Sequence, residues 1–228
     1  MDIENFSKVC GVTIKNKDYF IEAMTHRSYL NENKNHGFPH NERLEFLGDA
    51  VLELSVTRYL FENFNNPEGE MTAWRAALVN GEMLARVARE IGVEQFLMMS
   101  KGEAKDTGKA RSYLLANSIE SIIGAVYLDS GYDAADKFIT EKIISHIDEI
   151  LEKKLYLDAK SYFQEKSQEH VGITPHYKLI SESGPDHDRT FIVGVYLNSE
   201  KIAQGSGRSK QDAQREAAKA GLEIKKWV

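Results

Sequence analysis

The chain has 228 residues, a length that fits one large domain or two small ones. Its hydrophobic fraction of 42% and charged fraction of 28% are ordinary for a soluble globular protein. No stretch approaches the ~20 apolar residues that a membrane span needs. The first residues are acidic and have no apolar signal core, and the single cysteine, Cys10, excludes an intrachain disulfide. These features predict a cytoplasmic protein.

The charge is unevenly distributed along the chain. The net charge of −6 and the pI of about 5.7 argue, taken alone, against nucleic acid as a partner. From Asp158 onward, however, the chain carries 11 Lys/Arg and 10 Asp/Glu, a net of +1, and the preceding part has a net of −7. The acidity therefore lies in the first two thirds, either as a solvated surface or as carboxylates gathered around a cation.

Residues 1–155 show the three- and four-residue spacing of apolar side chains that is typical of helices. The clearest pattern runs from Asn41, a candidate N-cap, to Phe64, and it predicts that Phe61 and Phe64 lie in the core. Further helices are predicted at Asp18–Thr25, Glu70–Ile91, Ser112–Ser130 and Ala134–Leu155, and a loop at Lys101–Lys109.

The pattern changes near Tyr156–Asp158, which predicts a domain boundary between residues 1–155 and 158–228. A short helix is predicted at Ala159–His170 and a final helix at Ser209–Ile224, with Ser209 as its N-cap. Between them, alternating apolar residues predict strands at Thr174–Ser183, Thr190–Leu197 and Lys201–Gly205. The sequence therefore predicts an all-α domain followed by a small α+β domain of order α-β-β-β-α.

Three acidic residues share one face of the Asn41–Phe64 helix. Glu42, Glu45 and Asp49 fall at positions i, i+3 and i+7, where like charges repel. Because the same helix carries an apolar stripe, acids crowded beside the core need a partner, and a divalent cation supplies one. The alternative is a solvent-facing acidic surface, or one that is paired with Arg43.

A second polar pair, Asn117 and Glu120, lies three residues apart in the largely apolar segment Leu114–Ala125. An ionised Glu120 is costly in such surroundings without a partner. The pair is either a polar contact between helices or, if its face meets the first acidic face, part of a cluster that can bind Mg²⁺.

These residues fall within segments that resemble a known family. The run NERLEFLGDAVLE (Asn41–Glu53) closely resembles the signature segment of ribonuclease III nucleases. Three further segments occur in the family's order: THRSYLNEN (Thr25–Asn33), GEMTAWRAALVN (Gly69–Asn80) and SYLLANSIESIIGAVYLDSGY (Ser112–Tyr132). The resemblance covers nearly the whole chain and implies a helical nuclease domain followed by a double-stranded-RNA-binding domain.

The resemblance implies hydrolysis of double-stranded RNA that depends on Mg²⁺, with Mn²⁺ as a substitute, and that leaves 5′-phosphate and 3′-hydroxyl ends during processing of rRNA and mRNA precursors. It assigns the metal chemistry to Glu45, Asp49 and Glu120, with Glu42 as an accessory acid. Asn117 stands at a metal-ligand position where the family commonly has Asp. An amide oxygen can ligate a cation but brings no charge. A duplex-RNA-binding protein with weak or no cleavage is therefore the alternative.

The α-β-β-β-α order resembles a double-stranded-RNA-binding domain, which touches two successive minor grooves and the phosphates between them. The last helix opens with backbone N–H groups that favour phosphate. Gln211 and Gln214 stand where the family often has lysines, which implies fewer basic contacts to the RNA phosphates. The candidate contacts lie on the first helix, in the loop Gly184–His187 and at the start of the last helix: Gln164, Glu165, His187, Arg208, Ser209, Lys210 and Arg215.

The family also implies a homodimer that is paired through the signature helix. Phe46 is the candidate interface residue, and Gly48 would let another backbone approach closely. The alternative places Phe46 in the core of the monomer. His36 and His40 flank Phe38-Pro39 and make a zinc site conceivable, although no cysteine pair supports it.

Overall fold

The computed structural model describes residues 1–105, 108–185 and 189–227. The chain divides into two compact units, Met1–Tyr156 and Leu157–Val228, each with its own apolar core. None of the helices in the described ranges is both long and apolar enough to cross a membrane. The predicted fold class, a helical domain followed by an α-β-β-β-α domain, is confirmed.

Unit 1 is helical and is built around two long helices that pack against each other, α4 and α7. Its core is formed by fully buried aliphatic and aromatic side chains such as Phe20, Leu52 and Ile119. The helices are α1 (Ile3–Cys10), α2 (Lys17–Ala23), α3 (Arg27–Glu32), α4 (Glu42–Asn63), α5 (Glu68–Val79), α6 (Gly81–Ile91), α7 (Lys109–Ser130), α8 (Tyr132–Lys142) and α9 (Ile147–Glu152). Short 3₁₀ turns occur at Val93–Phe96, Glu103–Lys105 and Ile144–His146.

Two helices that were predicted as continuous are interrupted. The predicted helix Glu70–Ile91 breaks at Asn80, whose backbone is extended. The Asn80 side chain donates to the Ala77 carbonyl and accepts from the Met83 N–H, so it satisfies the end of α5 and the start of α6 together. The predicted helix Ala134–Leu155 breaks after α8, which allows the consecutive residues Ile143 and Ile144 both to be buried.

Other differences concern single residues and short helices. Helices α1 and α3 were not predicted, since they have only eight and six residues, which is too short for helical spacing of apolar residues to stand out in the sequence. Asn41 precedes α4 but has helical backbone angles, and its side chain accepts no capping bond from the described backbone. Phe64 packs against the core as predicted, whereas Phe61 is 76% exposed, so its predicted place in the core was wrong.

The crossing of α4 and α7 depends on two glycines. A Cβ on Gly48 would lie 1.8 Å from the carbonyl oxygen of Glu120, and a Cβ on Gly124 would lie 2.3 Å from that of Leu44. Both distances are far below van der Waals contact, so only glycine permits this approach. The backbone that Gly48 admits therefore belongs to α7 of the same chain, which corrects the prediction that tied Gly48 to a partner.

Unit 2 is a three-stranded antiparallel sheet, ordered β1-β2-β3, with two helices. Its elements are α10 (Ala159–Val171), β1 (His176–Ser183), β2 (Thr190–Leu197), β3 (Glu200–Gly207) and α11 (Lys210–Lys225). Val195 and Leu197 of β2 are buried with Phe163 of α10 and Ala217 of α11. The sheet therefore buries one face against both helices, and their first turns lie close enough to line a common cleft.

Candidate active site and nucleic-acid interface

Four of the predicted site residues meet where α4 and α7 cross. Glu45 and Asp49 project from α4, and Asn117 and Glu120 from α7. The Asn117 amide acts on the pKa of Glu45, and the charges of Asp49 and Glu45 both act on that of Glu120. The close approach at Gly48 therefore brings the two predicted acidic faces together. We call Glu45, Asp49, Asn117 and Glu120 the α4–α7 quartet.

The surroundings of the quartet disfavour negative charge on Glu45 and Glu120. Burial raises the pKa of Glu120 to about 7, and the neighbouring charges of Asp49 and Glu45 add to the effect. Burial is also the main cause that raises the pKa of Glu45, followed by the charge of Glu42, while the neighbouring Asn117 amide acts in the opposite direction. Carboxylates in this condition are stabilised by a nearby cation, which offsets both repulsion and lost hydration.

The chemistry of the quartet fits a hard divalent cation. Three carboxylates and one amide offer oxygen ligands alone, which Mg²⁺ and Mn²⁺ prefer. No three acidic, histidine or cysteine side chains within residues 1–105, 108–185 and 189–227 are arranged as a ready-made metal site.

Glu42 lies apart from the quartet. It is exposed, with Arg27 Nη1 at 3.4 Å from its Oε1 and His40 Nδ1 at 3.7 Å from its Oε2. Its charge nevertheless acts on Glu45. Sequence reasoning missed Arg27 and His40 as partners of Glu42, because the fold and not the helical spacing brings Arg27 to it. Glu42 therefore lies beside the quartet and not within it.

The side chain of His36 contacts Thr25 inside unit 1. Its Nε2 lies 3.0 Å from Oγ1 of the buried Thr25, and that hydroxyl donates its own proton to the carbonyl of Ile21. The His36 ring must therefore donate from Nε2, which holds the loop before α4 against the end of α2. This contact occupies Nε2 of His36, so a zinc site formed by His36 and His40 could use only Nδ1 of His36.

Phe46 belongs to an exposed apolar stripe on α4. It is 82% exposed, and Leu54 and Phe61 on the same helix are 57% and 76% exposed. At 100° per residue the three side chains fall within an arc of about 80°. The exposure of Phe46 contradicts the alternative that it belongs to the core of the monomer. An apolar stripe of this length on an isolated subunit is typical of a surface that another protein covers.

The start of α11 carries the predicted phosphate contacts. Ser209 is the N-cap, and its hydroxyl accepts from the Asp212 N–H at 3.1 Å. Lys210 is exposed, and its Nζ lies 5.9 Å from the centre of the Phe191 ring. Arg215 is exposed but pairs with Asp212 at 3.3 Å, which reduces the charge that it can offer to phosphate.

A cleft of about 500 Å³ separates the first turns of α10 and α11. The predicted contacts Gln164 and Arg215 both line it, whereas Glu165 is exposed on α10 outside its lining. Lys160 donates to Gln214 at 2.7 Å beside the cleft, and sequence reasoning missed this lysine. The lining consists of Asp158, Lys160, Ser161, Gln164, Tyr177, Gln211, Asp212 and Arg215. Arg208 is exposed just before α11, and His187 lies outside the described residues.

Comparison with known proteins agrees with both units. Residues 16–147 match the family described as Ribonuclease-III-like, and residues 159–225 match the double-stranded RNA binding motif. The chain belongs to the ribonuclease III family. Ribonuclease 3 of Carboxydothermus hydrogenoformans is 42% identical over 99% of this chain and 98% of the relative. Ribonuclease 3 of Nitratiruptor sp. is 40% identical over 98% of this chain and 97% of the relative.

A solved structure of a ribonuclease III nuclease domain resembles unit 1. It comes from Campylobacter jejuni and is 37% identical in sequence to this chain. Its description reports structural flexibility in a region involved in dimer formation. The match covers 63% of this chain and 97% of the Campylobacter chain, with a TM-score of 0.57. The family resemblance predicted from the sequence is thus confirmed, and the chain is an endoribonuclease with a double-stranded-RNA-binding domain. Ribonuclease III enzymes are metal-dependent nucleases.

Proposed function

We propose that the chain cleaves double-stranded RNA with Mg²⁺ as its cofactor, leaves 5′-phosphate and 3′-hydroxyl ends, and processes rRNA and mRNA precursors in the cytoplasm. Residues 1–155 would cut and residues 158–228 would bind the duplex. The observation that carries the proposal is the α4–α7 quartet, because three carboxylates and an amide share one helix crossing in a ribonuclease III nuclease unit.

Each quartet residue has a role in this proposal. Glu45, Asp49 and Glu120 would hold the cation through charged oxygens, and Asn117 would add a neutral one. When bound, the cation supplies an activated water and offsets the charge on the scissile phosphate. Glu42 would add to the negative field on the outer side of the quartet, where Arg27 and His40 lie within 4 Å of its carboxylate. Mn²⁺ should substitute for Mg²⁺, since it prefers the same ligands.

One assay tests this function against its alternative. A labelled RNA duplex and its separate strands are incubated with the protein in Mg²⁺ or in EDTA, and the products are resolved on a gel. We expect cleavage of the duplex in Mg²⁺ alone. If the duplex is bound but stays intact in Mg²⁺ and in Mn²⁺, the chain is a binding protein in which Asn117 has weakened the metal site.

The role of Asn117 as a ligand can be tested by restoring the charge that the family commonly has there. Asn117→Asp should lower the Mg²⁺ concentration at half-maximal initial rate without reducing the maximal rate, because hard cations are held mainly by carboxylate charge. The readout is a Mg²⁺ titration of initial rates on one duplex. An unchanged titration curve would show that Asn117 is not a ligand.

We also propose that the chain forms a twofold homodimer through the α4 stripe, so that two quartets cut opposite strands and leave a short 3′ overhang. The stripe supports this, since Phe46 is already exposed for burial against a second copy. Phe46→Ser removes a large apolar side chain from both copies. It should raise the dimer dissociation constant by at least about a hundredfold.

Sedimentation velocity at micromolar concentration measures this change. Ile224→Ser is the matched control, because Ile224 is 62% exposed but lies on α11 in the other unit. It should leave the dimer intact. A parent protein that sediments as a monomer at this concentration would overturn the dimer proposal.

For the nucleic-acid interface we propose phosphate contacts from Arg208, Ser209, Lys210 and Arg215, and minor-groove contacts from Gln164, Glu165 and His187. Lys210→Ala should weaken binding about equally for duplexes of different sequence and reduce the salt slope by roughly 1. Lys219→Ala is the control, since Lys219 lies on the same helix but pairs with Glu216 at 3.0 Å. Equal affinity and salt slope for Lys210→Ala and the parent would show that the contact is misassigned.

A further inference from the structure

Lys160, in the first turn of α10, carries a charge that is met by neutral groups. Its Nζ donates to Oε1 of Gln214 on α11 at 2.7 Å and lies 5.3 Å from the centre of the Tyr177 ring. The lysine is partly buried, and no carboxylate of residues 1–105, 108–185 and 189–227 forms an ion pair with it. Because an ammonium is strongly hydrated in water, a partly dehydrated one without a counter-charge favours an anion.

The other charged residues that line the cleft between α10 and α11 already have partners. The Asp158 carboxylate caps α10, since it accepts from the Ser161 N–H at 3.0 Å and from the Ser161 hydroxyl at 2.9 Å. Asp212 pairs with Arg215 at 3.3 Å. Of the two cations in the lining, Lys160 is therefore the one that no carboxylate of the described chain neutralises.

The hydrogen bond to Lys160 fixes the orientation of the Gln214 amide. An ammonium can only donate, so Oε1 of Gln214 faces Lys160, and both protons on Nε2 stay outside this bond. Lys210 and Gln214 are four residues apart on α11, which places them about 40° apart around the helix axis. The ammonium of Lys160 therefore joins α11 one turn beyond Lys210, on the same face of the helix.

We propose that Lys160 contacts an RNA phosphate from α10 and so adds a second cation to the Lys210 face of α11. Gln214 is the positioning residue, because it holds the ammonium at this face and keeps its own N–H donors for a phosphate or sugar oxygen. The first turns of both helices line the cleft, and helix starts favour phosphate. The inference rests on the proposed duplex-RNA interface and adds to it a contact from the other helix.

The test measures duplex affinity of the full chain in EDTA over a series of salt concentrations. Lys160→Gln should weaken binding roughly three- to tenfold at low salt and reduce the salt slope by roughly 1, because one phosphate contact is lost. Lys178→Gln is the matched control, since Nζ of Lys178 also lies over a tyrosine ring, 5.4 Å from the centre of Tyr196. Lys178 follows Tyr177 on β1 and so faces the other side of the sheet, and its loss should leave the slope unchanged.

A double variant separates the position of the charge from the fold of unit 2. Lys160→Gln combined with Gln214→Lys exchanges the ammonium and the amide and keeps the net charge, so it should restore the salt slope of the parent. If circular dichroism shows that Lys160→Gln does not fold, the double variant decides alone. The inference is overturned if Lys160→Gln keeps the parent slope, if Lys178→Gln lowers it equally, or if the double variant does not restore it.

Lys210→Ala, measured in the same series, separates this inference from the proposed interface. If Lys210→Ala lowers the slope and Lys160→Gln does not, only the role of Lys160 is wrong. If neither variant lowers it, the proposed phosphate contacts at the start of α11 are wrong, and the inference falls with them. Cleavage does not enter the comparison, so an inactive nuclease unit would leave its outcome unchanged.

Discussion

Glu120→Gln is expected to abolish cleavage while duplex binding persists. Glu120 projects from α7 into the quartet, where burial and the charges of Asp49 and Glu45 raise its pKa to about 7. The substitution keeps the size and one oxygen of the side chain but removes one of the three charges that we propose hold the cation. If the transition state loses several kcal/mol of stabilisation, the rate falls by at least about 10³-fold.

Binding should survive because the RNA-binding unit is separate from α7. The affinity for a duplex is measured in EDTA, where neither protein cuts, and the initial rate of cleavage in Mg²⁺. Glu62→Gln is the matched control, since Glu62 is an exposed acid near the end of α4, with its Oε1 4.0 Å from Arg58. It should cut at the parent rate. Cleavage by Glu120→Gln at the parent rate would show that the catalytic assignment is wrong.

Helix spacing in the sequence predicted which acids share a face, but not that the two faces meet. The spacing of Glu42, Glu45 and Asp49 is a local property of one helix, so it can be obtained from the sequence. The meeting of α4 with α7 depends on the glycines at 48 and 124, and single glycines in a helical pattern do not identify the helix that will approach them. The resemblance to ribonuclease III nucleases, and not the spacing, predicted that Glu120 joins the acids of α4.

Other differences arise from contacts that only the folded chain forms. Asn80 interrupts a segment with good helical periodicity because its side-chain amide forms hydrogen bonds with the last turn of α5 and the first turn of α6. Residue propensities do not reveal such a double cap. Phe61 follows the helical spacing of core residues but lies on the exposed stripe, since periodicity does not tell a core face from a face that a partner covers. Arg27 reaches Glu42 across 15 residues of sequence, because the folded chain brings the first residue of α3 near the first residue of α4.

Gly48→Ala is expected to destabilise unit 1 more than an ordinary glycine substitution in a helix. An added methyl would lie 1.8 Å from the Glu120 carbonyl oxygen and 2.9 Å from the Gly124 nitrogen, both of which are backbone atoms of α7. Backbone cannot rotate aside as a side chain can, so α4 and α7 must separate along the crossing that positions the quartet. We expect a loss of at least about 3 kcal/mol, or roughly 6–12 °C in melting temperature for a domain of this size.

Gly69→Ala is the matched control for this substitution, because Gly69 lies in α5 and a Cβ there would meet no described atom within 4 Å. In open space, alanine favours the helix by up to about 1 kcal/mol relative to glycine, so this variant should melt at or slightly above the parent temperature. Calorimetry of the full-length parent and both variants gives the comparison. Equal melting temperatures for Gly48→Ala and Gly69→Ala would mean that α4 and α7 do not cross at Gly48. The arrangement of Glu45, Asp49, Asn117 and Glu120 would then lose the close approach at Gly48, which helps to bring the acidic faces of α4 and α7 together.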